Sequence, residues 1–381
     1  MLARAREDYQ ALFGHSWPVW VGGIVYGVVN IYLFLHFQPW STLDGVLNWG
    51  DNLIGRFGIG NAEALSPFLR SGSIINIGVI GGALLGALLA GQFGIRIGPR
   101  RELAKGILGG ILMGLGAVLV RGCNIGGFFS GTGSLGAHGL VMGIGLIIGA
   151  FLGVRYLIWE MNNVDIKPGR PTLWHNAKRQ PAIGFIFFLI ILGAAFIYSQ
   201  QGYSERGIIL LFGALLGVVS QRSRICFVRA FREPFLTGEA SHTKAMLLAL
   251  SISVVGIALA KYAIFEREYD FVRQTFWQGS LIGGTIFGVG MILSGGCGGG
   301  TLWRVGEGHI KLWLALIMYT LSATLFNHWL VVSGLIDRLG EEVFLPDVVG
   351  WTWTVPLLLV IFLLWYYVVQ WNEESGQLTA L

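Results

Sequence analysis

Three cysteines, Cys123, Cys226 and Cys297, are the residues of this chain best suited to chemistry. Two lie among glycines, in Arg121-Gly122-Cys123-Asn124-Ile125-Gly126-Gly127 and Ser294-Gly295-Gly296-Cys297-Gly298-Gly299-Gly300. The third lies in Gln221-Arg222-Ser223-Arg224-Ile225-Cys226-Phe227. None has C-x-x-C spacing, which argues against a zinc ribbon or a disulfide framework, and neither a metal nor a cofactor is expected. A thiol is a weak donor with a polarisable sulfur, suited to a soft sulfur or selenium atom. Glycine costs a helix about 1 kcal/mol relative to alanine, so glycine clusters ending apolar runs mark chain that leaves the helix. Inside a bilayer such backbone is tolerated only where it is buried in protein or lines a wet cavity, and its freed amides can point at an anion. Gly122, Asn124, Gly296 and Gly298 are therefore grouped with the thiols as a candidate pathway. A lone membrane cysteine is ordinarily a small packing residue; the glycines around Cys123 and Cys297 argue for more.

Charged neighbours extend the set. Arg224 stands with Arg222, Arg229 and Arg232 around Cys226. Such arginines serve as topology signals, yet they also lower a nearby thiol's pKa and draw anions to a pore mouth. His138 and Glu307 each follow a cysteine segment, and an ionisable residue at membrane depth is a functional hypothesis by default. An interfacial histidine bonded to a carbonyl, and a Glu307–Arg304 ion pair, are the plainer alternatives.

The elements that position these residues are membrane helices. The chain has 381 residues, 54% hydrophobic and 12% charged, with 58 glycines. A soluble domain carries about a quarter charged residues, so the composition predicts an all-α polytopic membrane protein. An apolar run of about 20 residues crosses a bilayer. On that measure spans fall near 17–37, 73–92, 106–121, 139–158, 182–200, 206–220, 244–263, 279–295, 310–328 and 352–371, giving nine to ten transmembrane helices plus short re-entrant ones. Short or interrupted spans in corresponding places point to a transporter site, and the runs at 106–121, 206–220 and 279–295 are short. The N-terminus lacks the apolar core and cleavage site of a signal peptide.

Short cytoplasmic loops carry excess Lys and Arg. Arg4 and Arg6, the 93–105 loop, the 159–181 loop with Lys167 and Arg170, and the 221–244 segment are basic; the alternate loops are acidic or mixed, with Asp44, Asp51, Glu63, Glu266 and Glu268. Ten spans put every basic loop, and both termini, in the cytoplasm. The polar stretch 38–72 reads as an external loop with an interfacial helix. Residues 159–181, with Pro168, Gly169, Pro171 and Pro181, read as the linker between a first half, 1–158, and a second, 182–381.

The halves repeat. An offset of 174 residues aligns Gly109, Gly110, Gly114, Gly116, Gly122, Cys123 and Gly126 with Gly283, Gly284, Gly288, Gly290, Gly296, Cys297 and Gly300. An offset of 190 sets Gly23 and Gly27 against Gly213 and Gly217, and carries His36 onto Cys226. His36 then stands where symmetry would put a fourth thiol. Equivalent spans are an odd number of crossings apart, so the halves are inverted, with a site between them near the midplane.

Arg121-Gly-Cys123-Asn-Ile-Gly-Gly, Gln221-Arg-Ser-Arg-Ile-Cys226-Phe and Gly295-Gly-Cys297 followed by Glu307-Gly, in that order, resemble the YeeE/YedE family of sulfur-compound transporters, to which the bacterial thiosulfate uptake protein belongs. His138, Phe231-Arg232 and Trp303-Arg304-x-x-Glu307-Gly308 are most similar to its YedE branch, linked to selenium or sulfur metabolism. The resemblance implies ten or so helices, short helices dipping to the middle, and three cysteines that pass a sulfur oxyanion along by transient S–H···S contacts. It also implies a bacterial plasma-membrane location and a small cytoplasmic sulfurtransferase-like partner of the TusA/SirA type. Thiosulfate or a related sulfur or selenium anion is the expected cargo and the lipid bilayer the surroundings; no nucleic acid and no enzymatic reaction are expected. The alternatives are an intramembrane thiol-disulfide oxidoreductase and a channel for another small solute.

Overall fold

The computed structural model describes residues 7, 9–57, 64–165, 169, 172–173, 177–263 and 269–379. The expectations for Arg4, Arg6, Glu63, Lys167, Pro168, Arg170, Pro171, Glu266 and Glu268 lie outside the described residues. The helices of the first half are α1 (Val19–His36), α2 (Thr42–Ile54), α3 (Ser71–Leu89), α4 (Arg100–Val120), α5 (Ser130–Gly133) and α6 (Ala137–Asn163), followed by α7 (Gln180–Gln200). Then come α8 (Ser204–Ser223), α9 (Phe227–Leu236), α10 (Ser241–Ala263), α11 (Gln278–Ser294), α12 (Gly298–Gly306), α13 (Ile310–Val332), α14 (Leu345–Val349) and α15 (Trp351–Ser375). A wide π-turn, Asn124–Phe129, leads into α5. Ten of these helices, all but α2, α5, α9, α12 and α14, are long and apolar enough to cross a membrane. The protein is an all-α, multi-pass membrane protein.

The helices pack in matched pairs. α3 lies on α8 as α10 lies on α1; α6 lies on α11 as α13 lies on α4; α4 meets α11 at the centre. Glycine stripes permit these approaches. Gly213 of α8 abuts the Ile75 carbonyl and Gly78 of α3, and Gly109 of α4 abuts the Gly290 carbonyl of α11. Without a hydrophobic drive between helices in lipid, close backbone contact of this kind is what holds a bundle together. Equivalent helices are five crossings apart, so members of a pair run in opposite directions through the bilayer. α7 and α15 stand outside the pairing, against α8 and α10 respectively, and expose apolar side chains along most of their length.

Between the long helices sit four short ones in two matched sets, α2 with α9, and the π-turn with α5 against α12. α2 packs on α3 and α13 as α9 packs on α10 and α6; α12 packs on α3 as α5 packs on α10. This corrects the expectation for residues 38–72. α2 is no interfacial helix on an external loop but a re-entrant one whose first residue, Thr42, is fully buried. Several of its polar groups find partners in the protein: Ser73 Oγ donates to Asn48 Oδ1 at 2.6 Å, Asn76 Nδ2 donates to the Thr42 carbonyl at 2.9 Å, and Arg70 pairs with Asp44.

The basic-loop end is tied by a charge network. Lys105 on α4 reaches Glu160 on α6 at 2.6 Å, and Glu102 on α4 accepts from Lys311 on α13 at 2.6 Å. At the acidic-loop end, β1 (Gln274–Phe276) pairs antiparallel with β2 (Glu341–Glu342).

Candidate functional site

All three cysteines are built the same way. Each follows a long helix that ends in a left-handed residue, then one spacer, then the cysteine, which opens a short helical segment. The left-handed residues are Arg121 (φ 57°), Arg224 (φ 58°) and Gly295 (φ 74°). The left-handed region is costly for a side-chain-bearing residue, so Arg121 and Arg224 hold a strained turn that only the surrounding packing maintains. The turn stops the helix abruptly and lets the cysteine take extended backbone. Gly122 is the required spacer in the first copy, because a Cβ there would meet the Gly127 nitrogen at 2.5 Å.

Cys123 and Cys297 also share their hydrogen bonding. Cys123 Sγ accepts from the Gly126 N–H at 3.4 Å, and Cys297 Sγ accepts from the Gly300 N–H at 3.2 Å. The thiols thus occupy the position in which a serine or aspartate caps an ordinary helix, at the electropositive ends of their segments.

These segments meet. Cys226 and Cys297 border the same glycine, Gly300. A Cβ placed on Gly300 would stand 3.1 Å from Cys297 Sγ and 3.6 Å from Cys226 Sγ. Two residues earlier on α12, a Cβ on Gly298 would stand 3.0 Å from Cys123 Sγ and 2.6 Å from Thr42 Oγ1. Asn124 crosses between the halves, its Oδ1 accepting the Gly298 N–H at 3.1 Å. The bare N-terminal turn of α12 is therefore the wall on which all three thiols converge. They are sealed from solvent, with exposures of 0% for Cys123, 2% for Cys226 and 1% for Cys297.

Each end of this cluster is polar. Towards the acidic loops lies a cavity of about 190 Å³ whose lining includes Trp40, Ser41, Asp44, Arg70 and Arg273. Burial and the nearby charge of Arg121 lower the pKa of Arg273 from its ordinary value. Towards the basic loops, Arg224 Nη1 meets Glu307 Oε1 at 2.6 Å, and its Nη2 donates to Gln92 Oε1 at 2.9 Å. Gln221 Nε2 donates to both Glu307 Oε1 and Gln92 Oε1 at 3.0 Å. Burial alone would raise the Glu307 carboxyl; the hydrogen bond from His309, the charge of Arg224 and the bond from Gln221 outweigh it and hold it below the ordinary glutamate value. The N-terminal segment joins here, with Arg222 donating to the His15 carbonyl and Trp17 N donating back to the Arg222 carbonyl at 2.9 Å.

The sequence of the chain fits one family. A family model described as sulphur transport matches residues 3–152 and 222–380. The chain belongs to this family. Within it, the chain is 27% identical over 343 residues to a probable transporter, YedE, of Escherichia coli K12, covering 83% of this chain and 84% of that relative. It is 34% identical over 180 residues to the thiosulfate transporter TsuA of the same organism, covering 45% of this chain and 49% of the relative. A TsuA of Spirochaeta thermophila matches at 30% over 177 residues, covering 42% and 53%. The sulphur transport relatives are named as transporters, and this member is a transport protein rather than an enzyme.

Of the residues singled out in the sequence, the structure brings together Cys123, Cys226, Cys297, Asn124 and Gly298, with Gly122 and Gly296 shaping the turns beside them. Arg224 and Glu307 form the network at the basic-loop end. Two residues stand apart. His36 is exposed at the end of α1, its ring 4.4 Å from that of Tyr32. His138 is buried between Gly131 and Gly136 beyond α5, where its Nδ1 accepts the Arg273 N–H at 3.4 Å. The residue that opens α2, as Cys226 opens α9, is Ser41. Thr42 borders Cys123 across Gly298, Trp40 packs at Gly299 and Tyr319 lies beside Thr42; none carries a sequence motif. A single tyrosine within the apolar α13 was the available signal.

Proposed function

We propose that this protein imports a small sulfur-containing anion, with thiosulfate the leading candidate, along a route lined by Cys123, Cys297 and Cys226 between the inverted halves. The observation that carries this reading is the convergence of three thiols from three separate broken helices on the N-terminal turn of α12. Packing alone gives no reason for three broken helices to end in the same residue type at one point. The acidic-loop end faces outward in the orientation the charges favour, so an anion meets the Arg273 cavity first, Cys123 next, and the Cys226–Cys297 pair last. The bacterial plasma membrane, with both termini cytoplasmic, is the corresponding location.

Neutral donors suit the task. Conduction requires binding firm enough to admit the ion and weak enough to release it, and thiols with amide N–H groups meet both conditions better than a buried arginine would. A dianion moving inward against a membrane potential of 100 mV climbs about 4.6 kcal/mol. That equals roughly a thousandfold concentration ratio or more. Uptake therefore needs either a coupled ion or rapid consumption inside, which a sulfurtransferase-like partner at the Arg224–Glu307 end would supply.

Growth on thiosulfate as sole sulfur source tests the reading. A strain lacking other uptake routes, carrying Cys123→Ala or Cys297→Ala at wild-type membrane levels, is expected to fail where the wild type grows. Unimpaired growth of both variants would overturn the proposed route.

A further inference from the structure

We infer that Thr42, Tyr319 and Asn124 form an oxygen-binding girdle beside Cys123, so that the site takes a two-ended anion: soft sulfur or selenium against the thiols, oxygens against these donors. The inference rests on the import reading and specifies its substrate class.

Several buried polar groups near Cys123 are unsatisfied. Thr42 and Asn124 are fully buried, and so is Tyr319. Among the described residues, Thr42 Oγ1, Asn124 Nδ2 and the Trp40 Nε1 beside them have no hydrogen-bond partner. The Tyr319 hydroxyl lies beside Thr42 but likewise lacks a well-formed hydrogen bond. A buried donor left unmade costs about 1–3 kcal/mol, so several in one place are not a packing solution. They await a partner.

Their chemistry says which partner. Asn124 already spends its carbonyl oxygen on the Gly298 N–H, so its free atom is a donor. Trp40 Nε1 can only donate, and the two hydroxyls can donate. Two of these four groups can only donate and none carries a formal charge, so the set suits acceptor oxygens on an anion better than a cation. Thr42 is also placed by the fold's symmetry. It follows the residue that opens α2, while its counterpart helix α9 is opened by Cys226. One half of the molecule thus presents a thiol where the other presents hydroxyls, and that asymmetry matches an ion with a sulfur at one end and oxygens at the other.

The test uses purified full-length protein and two probe anions, thiosulfate, which has both ends, and thiocyanate, which has a soft sulfur and no oxygen. Thr42→Val and Tyr319→Phe remove one hydroxyl each at nearly constant volume. Each is expected to weaken thiosulfate binding about tenfold or more, the loss of one hydrogen bond to a charged group, and to leave thiocyanate binding within twofold. Thiosulfate binding within twofold of wild type in both variants would overturn the girdle. So would parallel loss of both anions at an unchanged unfolding temperature, since the hydroxyls would then serve the site without distinguishing oxygens from sulfur. Wild-type protein that binds thiocyanate but never thiosulfate would instead bring down the import reading, and the girdle with it.

Discussion

Cys123 and Cys297, 174 positions apart, are held in one geometry: each opens a short helical segment and accepts, through Sγ, the N–H of the residue three further on, at 3.4 and 3.2 Å. The chain reaches that arrangement twice, from opposite directions, and sets the two copies against the same turn of α12. The consequences are specific enough to measure.

Gly298 is the point of closest approach. A methyl there would stand 2.6 Å from Thr42 Oγ1 and 3.0 Å from Cys123 Sγ. Overpacking of this kind costs about 1–3 kcal/mol. Gly298→Ala is expected to fold with a lower unfolding temperature and to lose thiosulfate uptake at least tenfold, measured in vesicles of equal protein content. Wild-type uptake would show that the turn of α12 is not part of the route.

The meeting of Cys226 and Cys297 at Gly300 predicts selective oxidation. A mild oxidant such as copper phenanthroline should take two electrons and two protons from this pair, form one disulfide, and stop uptake until a reductant is added. Mass spectrometry of digested protein should find Cys226 joined to Cys297 rather than to Cys123. Oxidised protein that transports at full rate would argue against a shared path.

The Glu307 carboxylate gives a pH signature. Its pKa is held below the ordinary value, so its contribution to stability is complete above the unfolded pKa of about 4.3 and is lost as pH falls through the lower folded value. Glu307→Gln should lower stability at pH 7 by leaving Arg224 and His309 without their carboxylate, and should flatten the loss of stability below about pH 4. An unchanged acid limb in thermal unfolding would exclude this carboxylate as its source.

The mouth at the acidic-loop end should be reachable from outside. Gln38 is exposed and lines the Arg273 cavity. A Gln38→Cys variant in intact cells should react with a membrane-impermeant maleimide, and added thiosulfate should slow the reaction. Labelling only after the membrane is broken would reverse the proposed orientation.

Much of this was legible in the chain. The ten spans follow from apolar length, and the turns at Cys123 and Cys297 from glycine where a helix ought to continue. The offset of 190 matched α1 to α8 correctly, since Gly23 and Gly27 contact α10 as Gly213 and Gly217 contact α3. It failed one step later. α1 runs on to His36 and the connection to α2 is longer than that between α8 and α9, so the register slips and the counterpart of Cys226 falls at Ser41. α2 itself was hidden by Asp44, Asn48 and Asn52. Their partners, Arg70, Ser73 and the Leu65 carbonyl, are set by tertiary structure that hydropathy cannot register. Tyr319 and Thr42 were invisible for the same reason: each is an ordinary residue until the fold brings it to a thiol.

Uptake of radiolabelled thiosulfate into proteoliposomes, comparing the wild type with Cys123→Ser, Cys226→Ser and Cys297→Ser one at a time, reaches the central claim most directly. Three sulfurs serving one route should each prove necessary, with every single variant falling below a tenth of wild-type uptake while remaining folded. Full-rate transport by any correctly folded single variant would remove that cysteine from the route, and full-rate transport by all three would contradict the account.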